Sequence, residues 1–407
     1  MAGLCPARQR KKAGVDLMRM DFTAKIPGRE VSKLSFQKNG SPLFYSQDTL
    51  YRIAEKKVEP LTEKAGSFRY PWETLEGVKP YLSVVDVALN EEGIFATSRT
   101  KEGAVVTFMD NNNRPVWTYI NDKKRYSSGS VACRDGGCYL LFTLLDDTSY
   151  IVKVNRRGQE EWEKEYQGVY AFGPRCESET ALFIEGKLYQ NHLPEEERQP
   201  MRLLQLDPAG RETCLESIPL QFSIKPLWSR QGSLVLIISG LDVFLGKGCY
   251  IIKKYDKGSD GHFSRVGEWQ DKEAYVTGDW AVSPSGEYIG VSMHIIGPGE
   301  QLEMDVGVLK LEGEGMLQPD ITLVSQAIPN VGLEYEVHYA PPLMLDNGDI
   351  YSAWHSPKTN PILFTSSGSH TCIRNGKRIV VNMEYHEGTL YIFECSGNDI
   401  YVSVKKL

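Results

Sequence analysis

The sequence predicts an all-β protein, a β-propeller of eight four-stranded blades closed by an N-terminal strand. Three observations predict it. A short hairpin recurs as NGSPLFYS with Gly40, NEEGIFATS with Gly93, RDGGCYLLF with Gly137, RQGSLVLII with Gly232, SPSGEYIGVS with Gly286, LDNGDIYSAW with Gly348 and YHEGTLYIF with Gly388. An eighth copy, ESETALFI, carries Glu179 in place of the glycine. Successive copies lie 40 to 62 residues apart, the period of a repeat architecture. Between them, short apolar strands alternate with turn clusters, and no long helical period appears.

Residues 1–14, rich in Arg, Lys and Gly, read as a disordered tail, and residues 15–407 as one propeller domain. The cleanest unit runs from Val84 to Ile120, with VVDVAL, IFATS, AVVTFM and PVWTYI as strands A to D. The next repeats that order from Ser130 to Tyr166. The last unit, Arg378 to Leu407, holds only three strands: RIVVNMEY, TLYIFEC and DIYVSVKK. An open edge invites pairing with another chain, so the segment Val15–Ile26 is expected to supply the fourth, outer strand. Seven blades is the alternative count, with a short terminal unit absorbed into its neighbour.

The third observation is a second turn signature in phase with the first. DNNNRPVW places Asp110 seven residues before Trp117, NRRGQEEW places Asn155 seven before Trp162, and DPAGRETC places Asp207 seven before Cys214. Asn113, Gly158 or Gly210 follows three residues after the polar residue, where a tight C–D turn needs a positive φ. The Trp then falls early on strand D, where it covers the side of a blade. This pattern resembles the blade repeat of the quinoprotein and WD40-like propeller superfamily, over residues 84–218 above all. The resemblance implies a propeller and nothing about chemistry. Its quinone-binding members carry adjacent cysteines and an export signal; this chain shows neither, so no quinone and no other cofactor is expected.

A net charge of −7 without a basic stripe argues against nucleic-acid binding. No segment approaches 18 apolar residues, and the basic N-terminus lacks an apolar stretch behind it, so neither a membrane span nor a secretory signal is expected. A cytoplasmic location is the expectation. The eight cysteines are scattered and read as small buried hydrophobes. Cys133 and Cys138 flank one turn, which leaves a disulfide as the lesser alternative.

In an up-and-down blade the A–B and C–D turns share one end, and the B–C and D–A connections share the other. The A–B turns are short and regular. The B–C connections read as irregular and long: 186–200, 239–248, 293–305 and 354–361. Variable loops on a rigid scaffold usually carry function, so the B–C/D–A end is read as the working face. His192, His294 and His355 fall at or just after the exit of strand B, with Trp354 beside the last. Asp242, Arg99 and Asp146 hold the similar place in other units. Tyr81, Tyr126, Tyr170, Trp228, Tyr275 and Tyr335 precede strand A of their units, with His338 nearby. The aromatic set reads either as blade-to-blade packing or as a ligand-stacking rim.

No GxSxG, Walker loop, HExxH or zinc spacing is present, and no metal is expected. The acidic run Glu195–Glu197 reads as a solvated loop. The first functional reading is a binding module for a small organic molecule or peptide. The second is a metal-independent lyase, cyclase or isomerase using His294, His338 and His355 as acid–base groups. The third is a protein–protein interaction scaffold.

Overall fold

The computed structural model describes residues 16–17, 19–28, 31, 34–36, 40–46, 49–54, 56–61, 83–90, 92–99, 104–111, 114–121, 126–144, 148–174, 177–186, 199–218, 223–242, 247–271, 279–296, 302–311, 324–327, 338–355, 362–365, 370–372 and 378–407. Among them the chain forms eight antiparallel-built sheets and no helix; seven sheets have four strands and one has six. Each sheet holds one copy of the repeat, and the chain is a β-propeller. Two compact units are distinguished: residues 32–274 with 314–316, and residues 1–31, 275–313 and 317–407. The larger unit holds blades 1 to 5 and the smaller holds blades 6 to 8.

In blades 2 to 5 the strands follow sequence order from A to D. Blade 3 shows the pattern: Tyr126–Ala132, Cys138–Thr143, Ser149–Val154 and Glu160–Tyr166. Apolar residues alternate onto both faces of strands B and C of blades 2 to 4, because each of these blades is covered on both sides by a neighbour. Phe95, Val106, Leu140 and Phe142 fill the space between blades 2 and 3. Tyr139, Ile151, Phe183 and Leu204 do so between blades 3 and 4, and Leu182, Ile184, Leu236 and Tyr255 between blades 4 and 5.

Both turn signatures are realised. Asp110, Asn155 and Asp207 each accept the backbone N–H four residues on through their side chains. Gly158 and Gly210 adopt positive φ and donate back to Asn155 and Asp207, as expected. Trp117 lies against Gly158 of the following blade, and Trp162 donates its indole N–H to Pro208 O of the following blade at 2.9 Å. A bulge on strand D sets these rings facing the next blade; it recurs at Val116, Glu161, Leu215 and Val266.

Two hairpin glycines serve space, and two expected loops need correction. Gly136, not Gly137, takes the positive φ of its hairpin; Gly137 is needed for space, because a Cβ there would meet the Val154 carbonyl. Gly93 likewise starts a strand pressed against the Met109 carbonyl. The irregular loops expected at 239–248 and 293–305 are largely strand. Leu234–Asp242 pairs with Lys247–Lys257, and Tyr288–Ile296 with Leu302–Lys310. Their glycines and charges had masked a continuing period of two.

The N-terminal segment divides between two blades. Phe22–Pro27 pairs antiparallel with Asp399–Lys406 as the outer strand of blade 8, as expected. Asp16–Leu17 instead pairs parallel with His370–Cys372 at the edge of blade 7. Met20, between them, packs on the cluster of Ala353, Met383 and Leu390 that joins these two blades.

Cys133 and Cys138 are free thiols, and both are buried. Cys138 packs on the blade 2 side of its sheet and Cys133 on the blade 4 side, so strand alternation keeps the sulfurs apart. Burial pushes both thiols well above the ordinary range. Cys214 departs from the buried expectation and is exposed. Native protein treated with a thiol reagent is expected to label Cys214 quickly and Cys133 and Cys138 only on unfolding; mass-spectrometric peptide mapping reads this.

Candidate functional site

The predicted polar residues that fall among the described positions gather at one end of their sheets. Arg99 closes strand B of blade 2 (Gly93–Arg99), opposite Ser83 and Ala104. Asp242 closes strand B of blade 5, opposite Lys247. His294 lies near the end of strand B of blade 6, opposite Met304. His355 ends strand B of blade 7 (Ile350–His355), with Trp354 opposite Tyr339. His338 begins strand A of that blade and is directly opposite His355. Directly opposed residues of an antiparallel pair have Cα atoms roughly 4.5–5.5 Å apart. Tyr81, Asp146, His192, Glu195–Glu197, Tyr275 and Tyr335 lie outside the described residues.

The aromatic series does not occupy one register. Tyr170 sits in strand A of blade 4 (Val169–Gly173), at a bulge that also falls at Val85, Ser128 and Val381 in blades 2, 3 and 8. Tyr170 is 41 % exposed, and its hydroxyl donates to Ile224 O of blade 5 at 3.2 Å. Tyr126 is two residues ahead of the equivalent bulge in blade 3. Trp228 is the last residue of strand A of blade 5 (Ser223–Trp228), so it lies at the A–B turn end, opposite to the expected face. There it packs against Gly173 of blade 4. The spacing misled because strand A of that blade starts five residues before the tryptophan and has no bulge.

Two buried carboxylates escaped the sequence reading. Glu185 ends strand B of blade 4 (Ala181–Glu185), and Glu394 lies in strand B of blade 8 (Thr389–Ser396). Each is opposite the residue that precedes the strand A bulge, Val169 and Val380. Phe142 holds that register in blade 3 and Ser98 in blade 2. Each glutamate has an arginine. Arg202 gives Glu185 two hydrogen bonds to one carboxylate oxygen, through Nε at 2.9 Å and through Nη2. Arg378 Nη1 stands 3.9 Å from Glu394, with its guanidinium over the Tyr401 ring. Both glutamates fall six residues after the hairpin position held by Glu179 and Gly388, a shared spacing that does not by itself show burial.

Beside Arg202, Glu212 accepts hydrogen bonds from Lys164 and from the Tyr166 hydroxyl, each at 2.9 Å. Burial opposes the ionised form of Glu212, but these bonds outweigh it and hold the carboxyl below its usual range. Burial first, and then Glu212, push the Tyr166 hydroxyl up, so it stays protonated as a donor. The Glu185 hydrogen bonds raise Arg202 further. Among the described residues no group of three or more His, Cys, Asp and Glu side chains could hold a metal ion. No helix among them is long and apolar enough to cross a membrane.

The turn end is committed to joining blades. Thr180 donates to Gly261 O at 2.9 Å, Tyr139 to Glu179 O at 2.7 Å, and Gln205 bonds the ring of His262. Buried Lys153 bonds Asp135 at 2.9 Å beneath the Cys133–Gly137 turn.

Solved structures similar to this chain are propellers. The Dos1 propeller matches with a TM-score of 0.52 at 9 % identity, over 95 % of this chain and 94 % of that one. BamB from Moraxella catarrhalis matches with a TM-score of 0.47 at 11 % identity, over 93 % and 96 %. The β-propeller domain of the Trilobed protease from Pyrococcus furiosus matches with a TM-score of 0.42 at 10 % identity, over 80 % and 96 %. At these identities the likeness speaks for the fold alone. No family model matches the chain, and no curated protein matches it.

Proposed function

We propose that this propeller is a binding module that takes a small organic molecule or a peptide at the B–C/D–A end of its blades. One observation carries the reading. At that end strand A of blade 4 carries a bulge at Tyr170, an exposed residue whose hydroxyl is already fixed to the next blade. Bulges re-aim side chains and recur beside functional sites, and a fixed aromatic ring offers a stacking face at little entropic cost. The turn end, in contrast, spends its polar groups on blade-to-blade bonds.

A second reading is favoured by the direct pairing of His338 with His355, with His294 on the adjacent blade of the same unit. Histidine is a residue type that can act as acid or as base, so such a pair suits a metal-independent elimination, cyclisation or isomerisation.

The test is a thermal-shift screen of small organic molecules and peptides, since a ligand that binds only folded protein raises its melting temperature. A hit should lose roughly tenfold in affinity with Tyr170→Ala, the scale of one aromatic contact. For an enzyme, His355→Ala should abolish conversion of that hit while leaving its binding within a few-fold. A hit unaffected by either substitution removes both assignments.

A further inference from the structure

Strand alternation brings the paired histidine positions and a buried carboxylate to one groove. In blade 7, Ala340 and Ala353 belong to the apolar cluster shared with blade 8. His338 comes two residues before Ala340 and His355 two residues after Ala353, so both positions fall on the face of the sheet that meets blade 8. In blade 8, Leu390 and Ile392 of strand B belong to the same cluster, and so does Val380, the cross-strand partner of Glu394. Glu394 continues the alternation of Leu390 and Ile392 and lies on the face that meets blade 7. Strands A and B of blade 7 both pack on strand A of blade 8 (Ile379–His386). The levels match as well. His355 comes seven residues after Gly348 of its hairpin and Glu394 six after Gly388 of its own. That difference is roughly 3.3 Å along a strand, and sheets packed face to face lie about 10 Å apart, a gap that one glutamate and one histidine span. His294 is set apart. It shares a strand face with Gly290, which meets Ile350 on the other side of blade 7.

Packing alone does not call for a carboxylate at this register, which Phe142 fills in blade 3. Glu394 is nevertheless buried there, with Arg378 Nη1 at 3.9 Å, beyond hydrogen-bond length. The guanidinium is stacked on the ring of Tyr401, directly opposite Glu394. Arg378 therefore balances the charge of Glu394 through space and not through a direct hydrogen bond. We infer that the groove between blades 7 and 8 is the acid–base site and that Glu394 is its positioning carboxylate, a conclusion that rests on the enzyme reading of His338 and His355. A carboxylate beside a histidine sets which ring nitrogen carries the proton, and it steadies the ring when the other nitrogen accepts one. That is what a histidine needs to work as a base in one step and as an acid in the next.

Nuclear magnetic resonance of the full chain, labelled only at histidine, tests the assignment without a substrate. His338→Gln and His355→Gln assign the ring-nitrogen signals. Glu394→Gln should shift the ring nitrogens of at least one of the two, from the values of a single tautomer toward the average of both, and leave those of His294 in place. Glu394→Gln/Arg378→Met leaves no unpaired charge in the groove and should give the same shift; it carries the test if the single variant does not fold. Circular dichroism verifies the fold of each. Signals of His338 and His355 that both stay in place in a folded variant, or an equal shift at His294, overturn the assignment. If the shift appears and no screened hit is ever converted, the enzyme reading falls while Glu394 keeps its place beside the histidines.

Discussion

A chain that starts at Arg29 melts far below the full-length protein and exposes an open sheet edge. Phe22–Pro27 is paired along its whole length with Asp399–Lys406, from Phe22 opposite Val404 to Pro27 opposite Asp399. Ile26 is buried, and Thr23 and Ser403 share a hydrogen bond of 3.0 Å. Before the strand begins, Asp21 accepts the Lys406 N–H at 2.7 Å, and Met20 packs on the cluster between blades 7 and 8. Removing the segment strips the outer strand from one blade and the edge pair Asp16–Leu17 from another. A loss of at least ~3 kcal/mol follows, the upper end of what most single substitutions cost. The unpaired edge of Asp399–Lys406 then becomes a template for association. Differential scanning calorimetry and light scattering read both effects. A synthetic peptide of residues 15–28, added in excess, should restore most of the lost stability. An unchanged melting temperature would show that the N-terminal strand does not hold the last blade closed.

Glu216→Ala costs about 3–5 kcal/mol, the range for breaking a buried ion pair by removing one partner. Glu216 lies on strand D of blade 4 (Glu212–Ile218) and reaches into blade 5. Its carboxylate meets Lys253 Nζ at 2.6 Å, accepts the Tyr255 hydroxyl at 2.7 Å and stands 4.0 Å from Arg265. Lys253 is buried, and its other carboxylate, Glu268, is 3.7 Å away. Without Glu216 the ammonium is left largely uncompensated, and the Tyr255 hydroxyl, held protonated by burial and by Glu216, loses its acceptor. Paired replacement separates the two effects. Glu216→Leu with Lys253→Met removes both charges and should fall within ~1 kcal/mol of the parent. Urea unfolding measures each variant. If the single and double replacements were equally destabilising, shape and not charge would be what joins these blades.

The scaffold was legible because its signals are local. Asn155, Gly158 and Trp162 act within one turn, and their spacing survives in the sequence whatever the rest of the chain does. The N-terminal closing strand was also legible, because a three-stranded last unit leaves an edge that some other segment must cover. The site was less so, because it depends on register. A bulge adds one residue without changing composition, so Tyr126 and Tyr170 look equivalent by spacing yet stand two positions apart. Trp228 looked like a partner of Tyr170 and lies at the other end of its strand. Glu185 and Glu394 were hidden for a different reason. A carboxylate at the end of an apolar run reads as the strand leaving the core, and only the cross-strand partners show it to be inside.

The central claim is that ligand is taken at the B–C/D–A end and not at the turn end. Affinity of a screened ligand for two matched sets of alanine variants tests it most directly: Arg99→Ala, Tyr170→Ala and Trp354→Ala at one end, and Arg114→Ala, Arg156→Ala and Arg157→Ala at the other. At least one of the first three should weaken binding tenfold or more while the second three leave it within twofold. Loss of binding confined to the turn-end set would contradict the claim.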